Sequence, residues 1–142
     1  MTRRTAPRGQ TAVEFALILP LFILLLLGIF DLGRAVYAFN TISNAAREGV
    51  RLGIVDQNVT RVQDRAVQHA VSLAAVPGDV DVAFLSADLS STCPSPIAIG
   101  CVAQITVHYS FTAATPIIGN LVGVIDMAST TREPVERSFV SP

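Results

Sequence analysis

The sequence predicts an α+β protein: a long N-terminal transmembrane helix continues into a small extracytoplasmic head with a second helix and an antiparallel sheet of about three strands. Three observations carry this. Phe15 to Phe30 is an uncharged apolar run of sixteen residues. A helical spacing of apolar residues persists beyond it to about Gly53, and beyond Gly78 the spacing changes from three or four to two. The chain divides accordingly into a basic leader at 1–9, a long helix at 10–53 whose residues 12–30 cross the membrane, and a head at 54–142.

Composition agrees with that class. Of 142 residues 51% are apolar and 15% charged, against roughly 25% charged in ordinary soluble domains. Ten basic and eleven acidic residues leave a net charge of −1, so no broad positive field is available for phosphate backbones and no nucleic-acid partner is expected.

The leader holds Arg3, Arg4, Arg8, Pro7 and Gly9. A hydrocarbon core about 30 Å thick needs about 20 residues of helix, and Ala12 to Phe30 fits if Glu14 is tolerated near one end. Three arginines precede the run, and only Asp31 and Arg34 closely follow it, so the positive-inside rule places the N-terminus in the cytoplasm and exports the head. This is the expectation for a single-pass protein of the cytoplasmic (inner) membrane. A cleavable secretory signal fits less well, because GIFDLGRAVYAFN contains no A-x-A-like site and continues in helical style. Val36, Phe39, Ile42, Ala46, Val50 and Gly53 keep the helical period, and a helix from Gln10 to Gly53 would be about 65 Å long, roughly twice the hydrocarbon thickness. Pro20 lies inside the span, where it frees the carbonyl of Ala16 and predicts a kink. Neighbouring helices that satisfy the freed group, a helix that is meant to deform, and a tolerated kink without a role are all open readings.

Asp56, Gln57 and Asn58 interrupt the pattern. Thr60 and Asp64 resemble the start of a second helix, with Val62, Ala66, Val67, Ala70, Val71 and Ala74 on one face and Pro77-Gly78-Asp79 as its end. Val80, Val82 and Phe84 then alternate as a strand; Ile105, Val107, Tyr109 and Phe111 do so more cleanly; Val124 to Thr131 is a third, less regular strand. Between the last two lies an apolar loop, TAATPIIGNLVG. Fewer than 100 residues make a small core that benefits from a staple, which Cys93 and Cys101 can supply as a disulfide outside the cytoplasm. Closing so short a loop contributes about 2.5 kcal/mol on chain-entropy grounds. Two cysteines are too few for a zinc site, and His69 and His108 lie on a helix and a strand, so no metal and no cofactor are expected. There is no G-x-S-x-G, P-loop or H-E-x-x-H pattern, and no catalytic role is expected.

The most informative stretch is the junction Arg8-Gly9-Gln10-Thr11-Ala12-Val13-Glu14-Phe15, where a glycine ends a basic leader and an acid and an aromatic stand just inside an apolar span. It resembles the class III signal of type IV prepilins and pseudopilins. The resemblance implies a pilin-like fold, cleavage between Gly9 and Gln10 by a prepilin peptidase, and N-methylation of Gln10. A carboxylate at the edge of a span is costly, up to roughly 2.5–3.5 kcal/mol at the bilayer centre, and therefore functional by default. The resemblance implies that Glu14, beside Phe15, pairs with a mature N-terminal amine of a neighbouring subunit during assembly. A Glu14 that snorkels to the headgroups is the alternative.

A longer stretch, RGQTAVEFALILPLFILLLLGIFDLGRAVYAFNTISNAAREGVRLG, is similar to the TadE-like family of minor pseudopilins in the tight-adherence (Flp) pilus system. The cues are Glu14-Phe15-Ala16-Leu17, Pro20, Asp31-x-Gly33 and Ala45 to Arg51, AAREGVR. Weaker likeness returns at Cys101 to Phe111, Thr115 to Ile117 and Arg132-Glu133. The family implies as partners the prepilin peptidase, other pilins or pseudopilins, the inner-membrane assembly platform and the lipid bilayer, with a role in adhesion. For AAREGVR two readings stay open. Glu48 can reach Arg51 on a solvated helix face while Ala45, Ala46 and Gly49 let the sheet pack closely, or the face meets a neighbouring pseudopilin. The alternative to pilus assembly is an unprocessed, membrane-tethered binding module whose head recognises an extracytoplasmic ligand; a secreted enzyme using His69 or His108 stands further off.

Overall fold

The computed structural model describes residues 9–137; residues 1–8 of the basic leader, with all three of its arginines, lie outside the described part. The first element is α1 (Gln10–Gly53), a helix of 44 residues that runs on through Pro20. Its apolar N-terminal half meets the length and composition of a membrane span, with a mean hydropathy of 2.7 and none of that stretch buried inside the protein. The chain is a single-pass membrane protein in this coarse sense.

The C-terminal half of α1 is the backbone of the head. Ala38, Ile42, Ala45, Ala46, Gly49, Val50 and Gly53 form one buried stripe along it, at the spacing that puts side chains on one helix face. Val36 and Phe39, which the apolar period places with that stripe, are 54% and 49% exposed. The seam is narrower than apolar spacing alone suggests, because small residues rather than large ones define where the sheet approaches.

After α1, the Asp56 carboxylate accepts from the backbone of Asn58 and pairs with Arg61 at 2.9 Å. Asn58 then caps α2 (Val59–Gln68), its side chain accepting from the Arg61 amide at 3.1 Å, the local competition that favours Asn at helix starts. Val62, Ala66 and Ala70 are fully buried in the core, Val62 and Ala66 beside Gly53 and Gly49 of α1. The expected helix through Ala74 stops at Gln68 instead, and Val71–Leu73 form a short 3-10 turn. Val71 is 75% exposed, and Ala74 is left-handed at φ 53°. The reason is tertiary: Gln63 donates its side-chain amide to the Val80 carbonyl at 2.9 Å, so the chain must turn back to bring Val80 beside α2.

A second 3-10 turn at Pro77–Asp79 leads into β1 (Val80–Leu85), followed by β2 (Val102–Thr112) and β3 (Val124–Pro134). The three form one antiparallel sheet in the order β1-β2-β3. β2 is central, and its alternation follows the pattern in the sequence: Ala103, Ile105, Val107 and Phe111 are buried and Tyr109 partly so, with His108 and Ser110 outward. Val80 and Phe84 face the same core from β1. Fully burying a side chain such as Ile105 contributes about 1.5–3 kcal/mol.

Between β2 and β3 the stretch read as a loop contains a helix, α3 (Pro116–Val122). Proline at the first helical position is pre-organised for a helix start, and a distant carboxylate completes the turn, as described below. Cys93 and Cys101 form a disulfide with Cα atoms 6.1 Å apart. Both belong to the core, and the Cys101 carbonyl accepts from Val135 at 2.8 Å. The bond therefore ties the loop after β1 to the meeting point of β2 and the end of β3.

Candidate functional site

The residues singled out at the junction occupy the far end of α1 from the head. Gly9 is the exposed residue before the helix, and among the described residues nothing lies within 4 Å of where a side chain on it would begin. Gln10 opens the helix, and its side-chain amide donates to Glu14 Oε1 at 3.2 Å, the i,i+4 spacing on one helix face. Phe15 is 63% exposed beside it. Among the described residues, then, Gly9, Gln10, Glu14 and Phe15 stand exposed together at the helix start, while Pro20 lies further along. Pro20 helps line an open apolar groove of about 360 Å³ with Leu19, Ile23, Leu24, Leu27 and Thr115.

The presence of Thr115 in that groove leads to a site that sequence reasoning missed. Asp31, the first residue past the span, is 4% exposed. One carboxylate oxygen accepts from the Ala114 amide at 2.8 Å, and the other from the Thr115 amide at 3.0 Å. Arg34, one turn on, pairs with the same carboxylate at 3.3 Å and lies over the Phe111 ring at 5.5 Å. An ionised carboxylate out of water needs charge-assisted hydrogen bonds, and here two backbone donors and a guanidinium supply them. Asp31 thus clamps the start of the β2–β3 connection to α1 at the end of the helix's apolar run. The signal was present: Asp31 lies seven positions before Ala38 and continues the buried stripe of α1 towards the membrane. Sequence reading used Asp31 as the end of the apolar run and as part of the acid-x-Gly cue, without assigning it a partner.

In AAREGVR the small residues face inward. Ala45 and Ala46 are fully buried. A side chain at Gly49 would begin 3.2 Å from Ile105 and 3.3 Å from Ala66, so strand and helix both approach the backbone there. The close-packing reading holds for these three positions. Glu48, on the solvated edge, accepts from Arg51 as expected and also from Arg65 of α2, both at 3.2 Å. Partial desolvation pushes the Glu48 carboxyl up, but Arg51, Arg65 and His69 together outweigh it and leave it below the usual carboxylate range. His108 pairs with Asp81 at 3.0 Å on the outer face of the sheet. Among the described residues no three His, Cys, Asp or Glu side chains converge as metal ligands.

One comparison bears on the long helix. Residues 9–51 match the family model of TadE-like protein. The TadE-like segment begins at Gly9 and ends two residues before α1 does. It therefore contains the junction from Gly9 onward, the span, Asp31 and the small-residue seam as far as Val50, and leaves the rest of the head without a counterpart in that match. The resemblance read from the sequence named the same family. No curated protein and no solved structure matches the chain.

Proposed function

We propose that this protein is a minor pseudopilin-like component of a tight-adherence (Flp-type) pilus apparatus, a non-enzymatic assembly subunit of the cytoplasmic membrane with its N-terminus inside and its head outside. The observation that carries the reading is the TadE-like match over residues 9–51, which starts at the glycine after which a prepilin peptidase would cut. Gly9 is exposed, and none of the described residues crowds it, as a scissile site requires. Cutting there makes Gln10 the new N-terminus and leaves Glu14 one helical turn away, on the same face, to receive the amine of a neighbouring subunit. The span has apolar side chains exposed along most of its length, its contact with the rest of the described chain being the approach of α3 at Gly28. It can therefore pack laterally against other pilin helices and the assembly platform.

Intact-mass and N-terminal peptide mass spectrometry on protein recovered from membranes, with and without the prepilin peptidase, tests the reading. A chain beginning at Gln10 only when the peptidase is active is the expected result, and a bulky substitution at Gly9 should abolish it. A chain that retains the leader despite active peptidase overturns the processing claim and favours a tethered binding module.

A further inference from the structure

We propose that the connection between β2 and β3, built around α3, is a second membrane element: it lies in the outer interface of the bilayer beside the span, with its apolar tip in lipid. The inference rests on the reading of Ala12 to Phe30 as the span. From Ala113 to Ile125 there is no charged residue, whereas Asp126 follows at once. Leu121, Val122, Val124 and Ile125 on this tip are 85%, 51%, 60% and 40% exposed, four large apolar residues within one five-residue stretch, whereas the exposed Val71, Leu89 and Ile99 of the head stand apart in sequence.

Position identifies the occupant. Ile118 of α3 lies 3.6 Å from where a side chain on Gly28 would begin, and Thr115 shares the groove lined by Leu24 and Leu27. Gly28 and Leu27 precede Asp31 by three and four residues, which at helical rise is about 4.5–6 Å towards the bilayer centre. Interfacial elements bury their apolar face about 5–10 Å into the headgroup and acyl boundary. The charged groups nearest the tip, Asp31, Arg34 and Asp126, stand at its upper edge: Asp31 and Arg34 hold the connection to α1, and Asp126 accepts from Ser110. The apolar tip is therefore continuous with the lipid-facing surface of the span, and a phospholipid bilayer is the partner it fits. The Asp31 clamp fixes its depth.

The chain contains no tryptophan, so single substitutions provide clean fluorescent probes in the full-length protein. Leu121→Trp and Val124→Trp report the tip, Leu21→Trp the span, and Ala87→Trp the opposite end of the sheet. Each is reconstituted into phosphatidylethanolamine and phosphatidylglycerol vesicles containing phosphatidylcholine brominated either near the carbonyl or near the methyl end of its acyl chains. Both tip probes should emit to the blue of Ala87→Trp and lose about half their intensity, more to carbonyl-end than to methyl-end bromine, as expected for an interfacial depth. Leu21→Trp should show the reverse order and Ala87→Trp no quenching. Tip probes that behave like Ala87→Trp while Leu21→Trp is quenched overturn the proposal and leave the span reading intact. Blue-shifted but unquenched tip probes also overturn it, in favour of a protein covering the tip. An unquenched Leu21→Trp removes the span and the proposal together.

Discussion

Asp31 shows how much one side chain does in this chain. Its two oxygens each accept from a different backbone amide, and a buried donor left without its acceptor bears the full desolvation cost. Asp31→Asn keeps the volume but replaces one acceptor with an NH2 group that must face Ala114 or Thr115. Hydrogen exchange at those two amides should accelerate by at least about tenfold, while the amide of Ile105 in the centre of β2 stays unchanged. Unaltered exchange at Ala114 and Thr115 would show that the connection holds its place without the carboxylate. The Glu48 pairs with Arg51 and Arg65 are different, since both arginines are well exposed, and exposed pairs contribute little.

At the scale of the element, α1 has two halves with opposite requirements. The span half needs apolar residues in every direction, and the head half needs small residues where β2 and α2 approach. Gly49 marks the closest approach, with Ile105 and Ala66 at 3.2 and 3.3 Å from a would-be Cβ, whereas nothing lies within 4 Å at Gly33. Gly49→Leu should destabilise the head by about 1–3 kcal/mol through overpacking. Gly33→Ala should stabilise the same helix by up to about 1 kcal/mol through its backbone entropy. Thermal melts of the two variants in detergent micelles should thus shift in opposite directions; shifts of the same sign would show that helix propensity rather than the close approach governs Gly49. The shortening of α2 belongs to this scale too. Its periodic face continues past Gln68 in sequence, but Val62, Ala66 and Ala70 are the fully buried residues of that face, Val67 and Leu73 are only partly covered and Val71 is exposed.

For the whole molecule, the head hangs from one helix by a seam of small residues, a three-stranded sheet and a disulfide. A domain of this size buries too little surface for the core alone to give a wide stability margin. Replacing both Cys93 and Cys101 with serine should lower the head's unfolding free energy by about 2.5 kcal/mol, the chain-entropy figure for so short a loop. Urea unfolding of the full-length protein in micelles measures it, and an unchanged midpoint would mean that β2 and β3 hold the Cys101 end without the bond.

The sequence by itself determined the span, the continuation of the helix to Gly53, the alternation of β1 and β2, and the cysteine pair. Each is written in local spacing or composition, which helix and strand periods translate directly into faces. The tertiary structure decided what depends on distant partners. Val36 and Phe39 turn outward because the seam runs through Ala38, Ile42, Ala45 and Gly49. α2 ends at Gln68 because Val80 must return to Gln63. The apolar stretch after β2 becomes α3 against the span because Asp31, 83 positions earlier, takes the Ala114 amide. The helical period marks Asp31 as facing inward, but no local spacing names Ala114 as its partner; that contact exists only once the helix and the sheet have fixed the distance between its two ends.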